Sequence, residues 1–329
     1  MKRALVLSGG GANGAFQFGA LKYIHEELQV QNPDFNFDII AGVSVGALNG
    51  TMIAMDKYWQ LSKIWNSPNL QKLIFQGSLE MFSILRSLVS RDKAILNNEP
   101  LFRLLQRYVR LEDLIMSPCD LRIGAVSLRD GTFRTLRPKD FETDIEFQKA
   151  ILASTSIPLL WAPQEQIETK AGILYDMVDG SIRDTSPLGQ VVHDQPDEVV
   201  IINCTSRKLP LEKDLESGRN IFTIARRALV DIAIDEIFVN DLREYLTIND
   251  LVKQAKEQAP DIKLYRTSVV SGKKVELHAF KTILIEPQVY MGSILDFHAE
   301  KVQWRIEQGY QTAKSAIETY IEEADKNPS

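Results

Sequence analysis

Ser44 stands between two glycines in Gly42-Val43-Ser44-Val45-Gly46, which fits the G-x-S-x-G pattern. That pattern places a serine on a strained turn between a strand and a helix, where its hydroxyl serves as a nucleophile beside the helix N-terminus. The apolar "FDIIAG" before it reads as a strand, and the small-residue "SVGALNGTMIAM" after it as a helix packed closely on a sheet. A serine attacks well only when a neighbouring group takes its proton. Histidine is the usual acceptor, and the chain has four. His25 reads as a surface residue of the first helix, and His193 precedes the turn "DQPDE". His278 and His298 come late enough to mimic the Ser…Asp…His order of α/β-hydrolases. That fold places several strands before its nucleophile, whereas only 43 residues precede Ser44. Another candidate is Asp179 in "YDMVDGSIRDTSP", an acid at a strand end before glycine that, taken alone, reads as an ordinary turn.

Gly9-Gly10-Gly11-Ala12-Asn13-Gly14 matches G-x-G-x-x-G between a strand and a helix. Such a loop can seat a dinucleotide pyrophosphate at the helix N-terminus. Its backbone N–H groups, unscreened by side chains, can equally hold the oxyanion that develops in acyl transfer. The dinucleotide reading requires an acid at the end of the second strand. Here that strand ends in "AGVSVG", and Asp38 lies at its beginning, on the wrong edge of the sheet. The oxyanion reading stands.

Taken in order, "SGGGANGAF", "GVSVGALNG", "ASTSIP" and "DGS" resemble the patatin-like phospholipase family over residues 4 to about 206. The ending "ILIEPQ…LDFHAEKVQWRIEQGY" is similar to that of bacterial members. The resemblance implies a dyad without histidine, Ser44 as nucleophile and Asp179 as base. It implies an oxyanion hole at Gly9, Gly10, Gly11 and Ala12, in which Gly10 and Gly11 donate and the outer two shape the loop. Gly14, Gly42, Gly46 and Gly180 support these motifs. Two positions depart from the family pattern: Asn13 replaces a frequent arginine or lysine, and Ser181 a commoner glycine or alanine. A carboxylate at its reference pKa of about 3.9 is a poor base. Asp179 is therefore expected in a poorly solvated cleft that raises its basicity.

Secondary structure must carry these pieces to one place. "ALVLSGGG", "FDIIAG", "LRIGAVSL", "YDMVDG" and "EVVIINCTS" read as strands alternating with helices. This gives an α/β fold, three layers α/β/α with a mostly parallel central sheet. Residues 1–206 form the expected catalytic core, with a helical insertion at about 57–112. Residues 207–329 form a C-terminal elaboration packed on it, with a long helical run, two strand-like runs about a Ser-Gly-Lys-Lys turn, and a closing helix. Within 70–89, Met81, Phe82, Leu85, Leu88 and Val89 form an apolar stripe that suits either core packing, the usual role of such stripes, or a lid meeting lipid.

Composition narrows the function. A net charge of −6 and the absence of a basic run exclude a generic nucleic-acid binder and electrostatic docking on anionic lipid. The apolar run after "MKR" is too short for a signal-peptide core, and no stretch reaches the length of a membrane-spanning helix. The two cysteines, Cys119 and Cys204, make no disulfide framework and read as buried hydrophobes. A cytoplasmic protein, peripheral at membranes when it meets lipid, is the expectation. No cofactor is expected, and no metal, because no His/Cys/Asp cluster has ligand spacing. The expected activity is that of a phospholipase A or lysophospholipase-type esterase, acting on phospholipid or another acyl-ester lipid through an acyl-enzyme. Acyl transfer or thioester hydrolysis on the same dyad, and a silent lipid-binding protein suggested by Asn13, are the alternatives.

Overall fold

The runs Arg3–Leu7, Ile39–Val43 and Glu198–Ile202 are buried at every residue, the pattern of strands covered on both faces. The computed structural model describes residues 1–77, 94–206, 224, 227–267 and 272–326. Its strands are β1 (Arg3–Leu7), β2 (Ile39–Val43), β3 (Asp120–Ser127), β4 (Phe133–Leu136), β5 (Gln164–Thr169), β6 (Gly172–Asp179), β7 (Glu198–Ile202), β8 (Leu264–Thr267), β9 (Lys274–Leu277) and β10 (Lys281–Ile285). Eight form one sheet in the order β10-β7-β1-β2-β3-β6-β5, with β4 paired to β3. The run from β10 to β3 is parallel. β4, β5 and β6 are antiparallel to their neighbours, so the sheet is mixed.

Alternation along the strands builds a core on each face. Leu5, Leu7, Ile40, Val200 and Ile202 pack with the first helix, Gly14–Tyr23, and the helices beyond it. Ala4, Val6, Ile39, Ala41, Val199 and Ile201 pack with Leu242 and Tyr245 of the long helix Ala233–Gln258. The first helix is buried nearly all round because the C-terminal helix, Ala299–Lys326, lies across it. Glycines allow that approach: a β carbon on Gly309 would sit 1.9 Å from the Phe16 carbonyl oxygen.

Three details differ from the sequence reading. The segment read as two strand-like runs holds three strands: β8 and β9 pair as a hairpin, and β10 leaves them to join the central sheet beside β7. β4 and β5 escaped notice because they are half-exposed and mixed in polarity, with no apolar run to mark them. His25 lies in a π-helical turn, Ile24–Leu28, with its ring stacked 4.0 Å from that of Tyr58. The stripe at Met81, Phe82, Leu85, Leu88 and Val89 lies outside the described residues. No helix among the described residues is long and apolar enough to cross a membrane.

Candidate active site

β1 and β2 run parallel with Leu7 opposite Gly42, so the chain leaves both strands at the same edge of the sheet. The glycine loop begins past Leu7 and Ser44 follows Val43, which sets the two side by side. A β carbon on Gly9 would lie 3.4 Å from Ser44 Cβ and 2.2 Å from Ser181 Oγ. Ser44 has φ 56° and ψ −127°, a conformation that L residues adopt only under constraint. The constraint is visible. Ser44 N–H donates to Ser154 Oγ at 3.0 Å, and Ser154 Oγ donates to the Gly124 carbonyl at 2.6 Å. Close backbone approach fixes the glycines: a β carbon would fall 2.4 Å from the Gly46 oxygen at Gly42, 2.3 Å from the Leu7 oxygen at Gly46, and 2.7 Å from the Gly124 oxygen at Gly180. At Gly14 it would meet Val45 at 2.2 Å. Gly46→Ala should therefore cost about 1–3 kcal/mol, despite the better helix propensity of alanine. Thermal unfolding checks this, and an unchanged Tm would show that the strand β1 and the elbow can separate freely.

Asp179 reaches Ser44 by an unusual use of one strand edge. β2 pairs with β3 as far as Val43 opposite Gly124. β4 takes the other edge of β3 over Ile123–Val126. β6, with Asp179 opposite Ala125, must therefore continue on the edge that β2 leaves, running the opposite way. The ends of β2 and β6 meet head to head, and with them Ser44 and Asp179. The "ASTSIP" segment brackets both: Ser154 holds Ser44, and the Ser156 carbonyl accepts from Asp179 N–H at 3.0 Å.

The Asp179 side chain has no solvent exposure. Burial pushes its carboxyl up to about 6, against the lowering effect of the Ser181 N–H and the nearby Ser44 and Ser181 hydroxyls. Asp179 Oδ1 accepts from Ser181 N–H at 2.8 Å. The two hydroxyls are close enough to lower the pKa, yet neither makes a hydrogen bond of good geometry, and Asp179 Oδ2 and Ser181 Oγ are buried without partners.

In the glycine loop, Gly9 N–H donates to the Thr185 carbonyl at 3.0 Å and Ala12 N–H to the Ile294 carbonyl at 2.7 Å. The N–H groups of Gly10 and Gly11 find no acceptor among the described residues. Gly11, at φ +54°, has Ile294 against its back, where a β carbon would come 2.3 Å from the Ile294 oxygen. Asn13 is buried, with Oδ1 unpartnered.

Ser44 opens onto a cavity lined mostly by apolar side chains, among them Leu48, Met52, Ile64, Leu101, Leu104 and Trp161, with Asn49, Thr51, Asn98 and Thr155 also on its wall. None of the four histidines lines it. His193 and His278 line a cavity on the other side of the sheet, and His298 is exposed, with Nδ1 2.6 Å from Asp296 Oδ1.

Several supporting residues carried no sequence signal. Gln17 Nε2 donates to the Ser8 carbonyl at 2.8 Å and is joined through its Oε1 to Asn49, which accepts in turn from Trp65. This buried network lies beneath the glycine loop. Arg305, fully buried, donates to the carbonyls of Met291, Ser293 and Asp296, and so braces the segment whose Ile294 holds Ala12. An arginine within the buried helical positions Val302, Arg305 and Ile306 was the one available hint.

A family model described as patatin-like phospholipase matches residues 5–192. A curated relative, the cGAMP-activated phospholipase of Escherichia coli (strain TW11681), is 29% identical over 180 residues, covering 49% of this chain and 48% of that protein. The chain thus spans about half the length of the curated relative it matches. Among solved structures, VipD from Legionella pneumophila aligns over 97% of this chain and 67% of its own at 13% identity, with a TM-score of 0.42. Human GIVD cytosolic phospholipase A2 aligns over 99% of this chain and 60% of its own at 10% identity, with a TM-score of 0.41.

Proposed function

The chain belongs to the patatin-like phospholipase family, and from that premise we propose that it is a lipid acyl hydrolase with Ser44 as nucleophile and Asp179 as base. The observation that carries this reading is Asp179 Oδ2, fully buried and unpartnered, at the strand end that meets the strained turn of Ser44. Burial has already made that carboxylate more basic than usual while leaving it ionised at neutral pH. Ser44 Oγ attacks the ester carbonyl carbon as its proton passes to Asp179. The carbonyl oxygen, now negative, accepts from the N–H groups of Gly10 and Gly11, which have no acceptor among the described residues. Collapse expels the alcohol, which takes the proton from Asp179 and leaves an acyl-enzyme. Water then attacks as Asp179 accepts its proton, and the fatty acid departs with Ser44 restored.

The mostly apolar cavity at Ser44 suits an acyl chain. Phospholipid or a related acyl ester is the substrate class this supports. Met52→Trp, two helical turns beyond Ser44 on the cavity wall, should cut activity on long-chain esters by about tenfold or more and largely spare a butyrate ester. Equal losses on both would detach the cavity from chain binding.

Mass spectrometry of products from a mixed lipid extract, with Ser44→Ala as control, tests the function. Free fatty acid should appear only with the wild-type protein, and a fluorophosphonate should label Ser44. Equal fatty-acid release by Ser44→Ala, or a folded protein whose Ser44 resists labelling, would sink the reading.

A further inference from the structure

The segment "ASTSIP" runs on into Leu159, Leu160 and Trp161, and the first of these is held where its type is out of place. The Ile157 carbonyl accepts from Leu160 N–H at 3.2 Å, which closes a turn with Pro158 second and Leu159 third. Leu159 has φ 74°. That is near the roughly 80° of the third position in a type II turn, where glycine or asparagine is the usual occupant. Of the other non-glycine residues at positive φ among those described, Asp56, Asp176 and Gln195 are polar and Ser44 is the strained serine of the elbow. Leu159 is the apolar one, and it is 57% exposed. An exposed leucine by itself needs no explanation. One kept in a backbone conformation that glycine would adopt freely gains nothing from water or from the turn, and such strain points to a use for the side chain.

The turn carries the wall of the Ser44 cavity out to the surface. Ile157 and Trp161, on either side of the exposed tip, both line that cavity. Leu160 is buried, and Trp161 packs edge-on against Phe75 at 5.9 Å. The Leu159 and Leu160 carbonyls accept from the N–H groups of Ile95 and Leu96, at 3.2 and 2.9 Å. The tip is thus already fixed, so burying Leu159 against a partner costs little further ordering. Neither 157–163 nor 94–98 contains a charged residue. An uncharged apolar tip beside a cavity that suits an acyl chain matches the hydrocarbon of a lipid surface. The net charge of −6 does not favour anionic lipid, so the contact expected is with acyl chains rather than headgroup charge.

We infer that Leu159 is an apolar anchor that enters the acyl layer of a lipid surface and brings the Ser44 cavity to it. The choice of lipid as partner rests on the hydrolase reading above, so binding is measured apart from turnover. Sedimentation with phosphatidylcholine vesicles, using the whole chain carrying Ser44→Ala, reads it. Leu159→Gly in that background should weaken partition by about tenfold. Its Tm should change little, because relief of the turn offsets the greater freedom of glycine in the unfolded chain. Leu159→Phe should keep the binding, and added salt should not reduce it. In the Ser44-intact protein, Leu159→Gly should lower activity on the same vesicles by a similar factor and spare a soluble short-chain ester. Unchanged partition of Leu159→Gly, binding that requires anionic lipid and is lost in salt, or a wild-type dimer that Leu159→Gly dissociates would each overturn the anchor. So would a large fall in Tm or an equal loss on the soluble ester, since either makes Leu159 a packing residue. Vesicle binding that depends on Leu159, in a protein whose Ser44-intact form releases no fatty acid, would uphold the anchor and sink the hydrolase reading instead.

Discussion

Asp179→Asn should lower turnover by about a thousandfold while the protein folds and melts cooperatively. Asparagine keeps the size and can still accept from Ser181 N–H, so the change removes the proposed base and little else. It should also raise Tm at neutral pH. The folded-state pKa of about 6 lies above the ordinary carboxyl value of 3.8, so the ionised carboxylate costs the folded protein stability. That cost is absent below about pH 4, grows between the two values and is complete above about pH 6. The gain in Tm should follow the same course and vanish in acid. The acid limb of kcat/KM should report the same carboxylate near pH 6. Ser44→Ala should match the loss of activity, and the double variant should be little worse, because parts of one catalytic unit are strongly non-additive. Single replacements of His25, His193, His278 and His298 should leave substantial activity. One histidine variant that folds normally yet falls as far as Asp179→Asn would replace the dyad with a triad.

Arg305→Met should cost about 3 kcal/mol in stability and most of the activity with it. The guanidinium satisfies three carbonyls of one short segment through charge-assisted bonds, from a side chain that is itself fully buried. Methionine fills the space but leaves those carbonyls bare. The loosened segment would no longer fix Ile294, whose carbonyl holds Ala12 N–H and whose backbone shapes Gly11. Arg305→Lys keeps the charge without the planar fork and should fall between the two. The readout that separates positioning from bulk stability is kinetic. With a soluble short-chain ester, assayed well below Tm, kcat should fall more than KM rises. A folded Arg305→Met protein with wild-type kcat would leave the arginine a purely structural role.

The contrast between Ser44 and Asp179 shows what can be read along a chain. The glycine loop and the serine turn are written in contiguous residues, because a strained φ and close backbone contacts dictate glycine at neighbouring positions. The α/β class and the parallel pairing of β1 with β2 follow from short apolar runs flanking one helix. Even the elevated basicity of Asp179 could be expected from the chemistry once its role was supposed. Its place could not be read. "DG" at a strand end is also an ordinary turn, and only the meeting of β2 and β6 on one edge of β3 brings that carboxylate to the serine. The role of Ser154 was likewise hidden inside a motif, since the group it holds lies far away in the chain. The entry of β10 into the central sheet, the bracing by Arg305 and the bond from Gly9 to Thr185 are of the same kind. Local chemistry fixes which residues a turn will tolerate. Which carboxylate, carbonyl or strand edge meets that turn depends on pairings between distant segments, and those are selected by burial and hydrogen-bond satisfaction across the whole fold.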